Sequence, residues 1–217
     1  MAMTACFGSF SASAQTVVEL FTAQGCPACP AADASLAKLA RRADVLALTL
    51  PVTYWDVRGW ADPLAQAAFT ERQRRYAAIG RREVATPQFV INGWLATNDS
   101  DPLALERAIR AAARVGGPMI WSDGRFLTVG ADRRTKRAAT VWLADFEVRP
   151  TITSIRAGET RGRTAVQHHV VRDLFVIGRW TGDHMRSLLP QLAAGRRRAA
   201  IVQSADGGAI IAAAVLR

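Results

Sequence analysis

Apolar positions cluster at Val17, Val18, Leu20 and Phe21, and after a turn they recur as Ala32, Leu36, Leu39 and Ala40. The first group is short and continuous, as in a buried strand; the second has the three- and four-residue spacing of one helix face. Val45 to Leu50 is a second apolar run, and with the helix Asp33 to Ala43 between them the two strands make a parallel βαβ unit. Helix-start signals follow. Asp62 precedes Pro63, and Thr70 with Gln73 forms a capping box, so helical segments are predicted over Pro63 to Ile79, ended by Gly80. Gln88 to Ile91 reads as a strand led by Pro87 and closed by an Asn92-Gly93 hairpin turn. Asp101-Pro102 opens another helix, with Leu105, Ile109 and Ala112 on one face, and Gly116-Gly117-Pro118 stops it.

Beyond Pro118 the texture changes to short strands: Phe126 to Val129, Thr140 to Phe146, Thr151 to Ile155, Ala165 to Val171, Phe175 to Ile177, Ala200 to Gln203 and Ile210 to Leu216. Asp123-Gly124, Ala157-Gly158, Thr181-Gly182 and Gly207-Gly208 punctuate them. One helical turn around Pro190, over Ser187 to Ala193, interrupts the series. The pattern predicts an α/β domain over residues 15–116, followed by a smaller all-β, sandwich-like domain over 117–217.

Composition narrows the function classes. The chain has 217 residues, 50% of them hydrophobic, so it can bury a substantial core. Its formal charge of +10 is almost wholly arginine, in stretches such as Arg72 to Arg82, Arg133 to Arg137 and Arg196 to Arg198. No helix-turn-helix, RNA-binding aromatic pattern or zinc finger accompanies that charge, so a solvated basic surface and no nucleic-acid partner are expected. Ala12-Ser13-Ala14 before Gln15 is a small-residue cleavage pattern, although no Lys or Arg precedes Lys38. Residues 1–14 thus read as the remnant of a signal peptide. Cleavage there removes Cys6 and leaves one cysteine pair, which suits an oxidising periplasmic or secreted location. No apolar run reaches the length of a bilayer span; Ala209 to Leu216 is too short.

Chemistry concentrates at Gly25-Cys26-Pro27-Ala28-Cys29-Pro30, between the first strand and the first helix. A helix start presents unpaired N–H groups and the positive end of the helix dipole, which stabilise a thiolate, the form that attacks disulfides. Cys26, at the solvent-facing end of the turn, would be the nucleophile and Cys29 the resolving thiol. Two alternatives stand beside this. Zinc needs four ligands, and Cys6, His168, His169 and His184 lie far from the pair, so no metal or other cofactor is expected. The adjacent His168 and His169 face opposite sides of a strand. A static disulfide is the other, although so short a loop contributes only about 2 kcal/mol. Tyr54, Trp55, Asp56 and Trp60 form an aromatic insertion that either covers the core edge or makes a platform beside Cys26, with Trp55 and Asp56 meeting substrate. Glu19 alternates with Val18 and Leu20 and points either into apolar surroundings, where burial would suit it to proton transfer, or outward to water.

Thr86-Pro87, the apolar strand behind it and Asn92-Gly93, downstream of the strand-CPxC-helix unit, resemble the thioredoxin superfamily. That resemblance implies a thioredoxin-like first domain and a cis Pro87 beside the redox pair, with Thr86 and Pro87 gripping an extended substrate segment. It also casts Glu19 as the buried acid that relays the proton of Cys29. A closer resemblance, to a secreted bacterial thioredoxin-like family of unknown function, rests on four segments. These are Val18 to Cys26, Pro30 to Asp33, Tyr54-Trp55-Asp56 with Gly59-Trp60 and Asp62-Pro63, and Phe69 to Gln73. Gly158-Glu159, Gly162-Arg163-Thr164 and Val170-Val171-Arg172 extend it towards the C-terminus. Pro51-Val52-Thr53 and Thr160 depart from that family's usual His-Val-Asp and Asn. The expected function is a periplasmic thiol-disulfide oxidoreductase acting on protein or small-molecule thiols and disulfides; the alternative is a secreted binding module with a structural disulfide.

Overall fold

A computed structural model describes residues 15–80, 82–112, 115–132, 135 and 138–216. The Ala12-Ser13-Ala14 pattern, Cys6 and most of the Arg133 to Arg137 stretch lie outside them. The chain opens with β1 (Thr16–Thr22), buried along its whole length, then α1 (Cys29–Leu39) and β2 (Val45–Pro51). A 3-10 helix (Thr53–Arg58) leads to α2 (Ala67–Gly80), and β3 (Gln88–Ile91), β4 (Leu95–Thr97) and α3 (Pro102–Ala111) complete the first half. These four strands form one mixed sheet in the order β2-β1-β3-β4, in which β1 and β2 are parallel and the other pairs antiparallel.

Its two faces are covered differently. Val18 and Leu20 of β1 and Phe89 of β3 pack under Leu36 of α1 and Leu105 of α3. Val17 and Phe21, pointing the other way, pack with Phe69 and Tyr76 of α2 and with residues of the second half. At the β3–β4 turn Asn92 and Gly93 both adopt positive φ. A Cβ on Gly93 would lie 2.3 Å from the Gly208 carbonyl oxygen, so glycine is required there.

The second half runs β5 (Ile120–Ser122), β6 (Phe126–Val129), β7 (Ala139–Glu147), β8 (Thr151–Ser154), β9 (Thr164–Gln167), β10 (Val171–Trp180), β11 (Met185–Leu188), β12 (Arg196–Ser204) and β13 (Ile210–Leu216). An antiparallel sheet, β10-β7-β12-β13, is buried on both sides: Ala199 and Ile201 join the first half's core, while Ala200 and Val202 face the small sheet β11-β6-β5. β8 and β9 form a separate two-stranded hairpin.

This overturns the expectation of an α/β thioredoxin-like domain followed by a sandwich. Among the described residues strand outweighs helix, 39% to 21%, in four small sheets. The physical reason lies in β12, whose unbroken apolar run serves two cores at once, so the second half's main sheet packs on the first sheet as well as on its own small partner. Smaller differences follow from local chemistry. Residues 63–64 form a turn and α2 starts only at Ala67, because Asp62 spends its carboxylate on the N–H groups of Gln24 and Leu64. Ser187 to Ala193 forms no helical turn; its first residues pair with β6 as β11. The strand expected over Ala165 to Val171 ends at Gln167, so His168 and His169 lie in a bend, where His169 has a φ of 48°. Neither Arg72 nor Arg198 belongs to a solvated basic face: each is buried in an ion pair, with Glu19 and Asp145 respectively. No helix among the described residues is long and apolar enough to cross a membrane.

Candidate functional site

The turn from β1 to α1 places both cysteines. The Cys26 N–H donates to the Ala23 carbonyl at 3.1 Å and the Cys29 N–H to that of Cys26 at 3.2 Å, so the chain is already winding when α1 begins. Pro30 fits in the first turn, where its missing N–H is no loss. Cys26 and Cys29 are joined as a disulfide, with their Cα atoms 5.4 Å apart. Cys26, expected at the solvent-facing end of the turn, is 2% exposed and Cys29 is 1% exposed.

Four segments converge on this turn. The Thr86–Pro87 peptide bond is cis, and the Thr86 carbonyl oxygen lies 3.7 Å from Cys26 Sγ, a position where a reduced thiol would donate to it. Trp55, in the 3-10 helix, donates its indole N–H to Thr86 Oγ1 at 2.6 Å, and Arg58 stacks 4.6 Å from the Trp55 ring. Gln24 ties the rest together. Its N–H donates to Asp62 Oδ2, its carbonyl accepts from the Thr160 hydroxyl, and its side chain accepts from Trp60 Nε1 while donating to Gln167. Asp56 accepts from the Asp62 N–H at 3.1 Å, so its carboxylate braces the loop behind Trp55. Burial raises the Asp62 carboxyl above its ordinary value, and Asp56 adds repulsion.

Glu19 points into the interior, 1% exposed, and both its oxygens are engaged. Arg72 Nε donates to Oε1 at 2.6 Å, Arg72 Nη2 to Oε2 at 3.3 Å and the Tyr76 hydroxyl to Oε2 at 2.6 Å. Gln203 of β12 bonds both Arg72 and Tyr76, which closes the network.

Residues 17–204 match the family described as protein of unknown function, DUF1223. The chain belongs to this family. A crystallised protein of Agrobacterium tumefaciens is 30% identical to it, with 93% of each chain covered and a TM-score of 0.77. HBP35 of Porphyromonas gingivalis is 11% identical over 93% of this chain and 74% of its own, with a TM-score of 0.61, a likeness of fold alone. No curated protein matches significantly.

In this DUF1223 protein a cleft of about 750 Å³ opens between α1 and the β8–β9 hairpin, with Cys26 and Asp33 in its wall and Arg41, Arg163 and His168 along it. Desolvation, and then Arg41, lower the His168 pKa below its ordinary value. Asp33 escaped the sequence reading, as did Gln24 and Gln167. Its only signal was a carboxylate inside the apolar helical pattern, four residues after Cys29. Burial lifts this carboxyl from 3.8 to about 7, with Asp62 adding to the shift and hydrogen bonding from Thr22 and Gln167 opposing it.

Proposed function

We propose that this protein is a thiol-disulfide oxidoreductase of the periplasm or another oxidising, extracytoplasmic space. The observation that carries the reading is the Cys26–Cys29 disulfide at the start of α1, with the Thr86 carbonyl of the cis-Pro87 loop beside its first sulfur and a substrate-sized cleft at its wall. The likeness of the CPxC and Thr-Pro segments to the thioredoxin superfamily supports it. In the reduced state Cys26 is stabilised as thiolate by the helix N-terminus and attacks a substrate disulfide, expelling one thiolate. Cys29 then attacks Cys26 Sγ, releases the second substrate thiol and re-forms the internal disulfide. Thr86 and Pro87 would hold the substrate backbone, with Trp55 fixing Thr86 and Asp56 bracing the Trp55 loop.

A redox titration is the test. An exchange pair equilibrates between about −120 and −270 mV, and Cys26→Ser abolishes reduction or oxidation of a test disulfide. The burial of both sulfurs favours a second reading, a static clip in a binding module. That reading requires a potential below about −300 mV and full function after Cys26→Ser.

A further inference from the structure

The cleft beside Cys26 carries more positive charge than disulfide exchange itself calls for. Pro30, Ala34, Ala37 and Arg41 recur every three or four residues, so one face of α1 forms a side of the cleft from the sulfur to just past the helix end. At a rise of about 1.5 Å per residue this side is about 16 Å long, the span of about five residues of extended peptide. Lys38 and Arg41 line it, and opposite them Arg163 and His168 stand immediately before and after β9, with Arg41 repelling a proton on His168. Lys38, Arg41 and Arg163 are exposed and have no ion-pair partner among the described residues, whereas the adjacent Arg42 is held by both Asp44 and Glu106. The negative end of the α1 dipole accounts for Lys38 and Arg41, but not for Arg163, which the other half of the chain brings to the same opening. Asp33, the acid in the wall, has its pKa lifted to about 7 and offsets only part of this charge at neutral pH. Like charges facing one another across a gap repel, and an anion between them relieves the repulsion.

Resting on the exchange reading, we infer that the cleft selects an acidic peptide segment, an extended stretch whose cysteine sulfur meets Cys26 and whose Asp or Glu side chains lie between Arg41 and Arg163. Guanidinium groups bind carboxylates through charge-assisted hydrogen bonds, and a cleft of one sign draws in the opposite charge and speeds encounter. The exchange steps are those already given. The Cys26 thiolate bonds to the peptide's sulfur and the other substrate sulfur leaves as a thiolate; Cys29 then bonds to Cys26 Sγ and the peptide leaves as a thiolate. The substrate disulfide gains the two electrons that the Cys26–Cys29 dithiol loses. Substrate choice rests on both halves of the chain, since α1 supplies Lys38 and Arg41 and the flanks of β9 supply Arg163 and His168.

The test uses the reduced protein and three peptides of equal length, each with one cysteine held as its 2-pyridyl disulfide and with flanking residues all Glu, all Ser or all Lys. Release of pyridinethione is followed by absorbance, and each rate is divided by that of dithiothreitol, an uncharged dithiol, with the same peptide. At low salt the Glu peptide reacts about a hundredfold faster than the Lys peptide, with the Ser peptide between them, and the gap closes at about 0.5 M sodium chloride. Arg41→Glu combined with Arg163→Glu, its fold verified by circular dichroism, inverts the order. Arg125→Glu combined with Arg179→Glu, at exposed positions outside the cleft, makes the same change in net charge and keeps the wild-type order. Equal rates for the three peptides, a faster Lys peptide, or loss of the preference in both double variants alike overturns the assignment and leaves the exchange reading intact. A Ser peptide that reacts no faster than with free cysteine sinks the exchange reading, and this assignment with it.

Discussion

Holding Asp33 in the interior costs the fold stability in a pH-dependent way. The unfolded chain ionises this carboxyl near 3.8 and the folded protein near 7. Between those values the native state keeps a proton that the unfolded state has lost, so stability falls as pH rises through the window and levels off above it. The gap is worth roughly 4 kcal/mol as an upper bound. Asp33→Asn is therefore expected to gain little over the wild type at about pH 4 and a few kcal/mol at about pH 8, read from urea midpoints. A difference that stays flat with pH would show that the carboxyl does not titrate in this window. Replacing Glu19 should instead destabilise the fold. Its carboxylate answers the buried Arg72 guanidinium, so Glu19→Ala leaves a charge uncompensated and should cost roughly 3 to 5 kcal/mol in the same measurement.

Among the elements, those with continuous apolar runs were legible to within a residue or two: β1, β2, β3 and β13 follow Val17 to Phe21, Val45 to Leu50, Gln88 to Ile91 and Ile210 to Leu216. The helices were less so. α1 begins at Cys29, four residues before the expected Asp33, because Pro30 is at home in a first turn. β10 runs from Val171 to Trp180 through charged and half-exposed positions, with register shifts against β7, and only Phe175 to Ile177 stood out from it. The same division holds at the site. Cys26, Cys29, Thr86, Pro87 and Trp55 could be found from local motifs, and the fold brings them together. Gln24 could not, since its partners Thr160 and Gln167 lie 136 and 143 residues away. The 3-10 helix carries a prediction of its own, since its Trp55 indole is what pins the Thr86 hydroxyl. Trp55→Phe keeps the ring contacts and loses one hydrogen bond, which should lower stability by about 1 kcal/mol. It should also speed reduction of the disulfide by dithiothreitol, because the loop opposite Cys26 is less firmly held. An unchanged reduction rate would mean that the loop does not control access to the pair.

For the molecule as a whole, the decisive feature is the apolar cluster shared between the halves. Val17, Phe21, Leu46 and Phe69 from the first half interlock with Ala144, Phe146, Ile201 and Ala213 from the second. The Glu19–Arg72 pair sits at the same junction, capped by Gln203 of β12 and by the Trp142 ring of β7, 5.3 Å from the guanidinium. Cutting the chain at residue 116 would expose one face of the first sheet, including the surroundings of a buried charge pair, and such a surface does not stay folded in water. The fragment 15–116 expressed alone is therefore expected to lack a cooperative transition, and the intact protein to unfold in one step by both tryptophan fluorescence and far-UV circular dichroism. Phe146→Ala, at the centre of the junction, should lower both midpoints together, at a cost of roughly 3 to 5 kcal/mol. Two separate transitions, with Phe146→Ala moving only one, would mean that each half carries its own core. The turn that carries Cys26 and Cys29 would then be held by the first half alone. If the single transition holds, Cys26 keeps its surroundings only while the second half is docked, because Thr160 and Gln167 reach the turn from there.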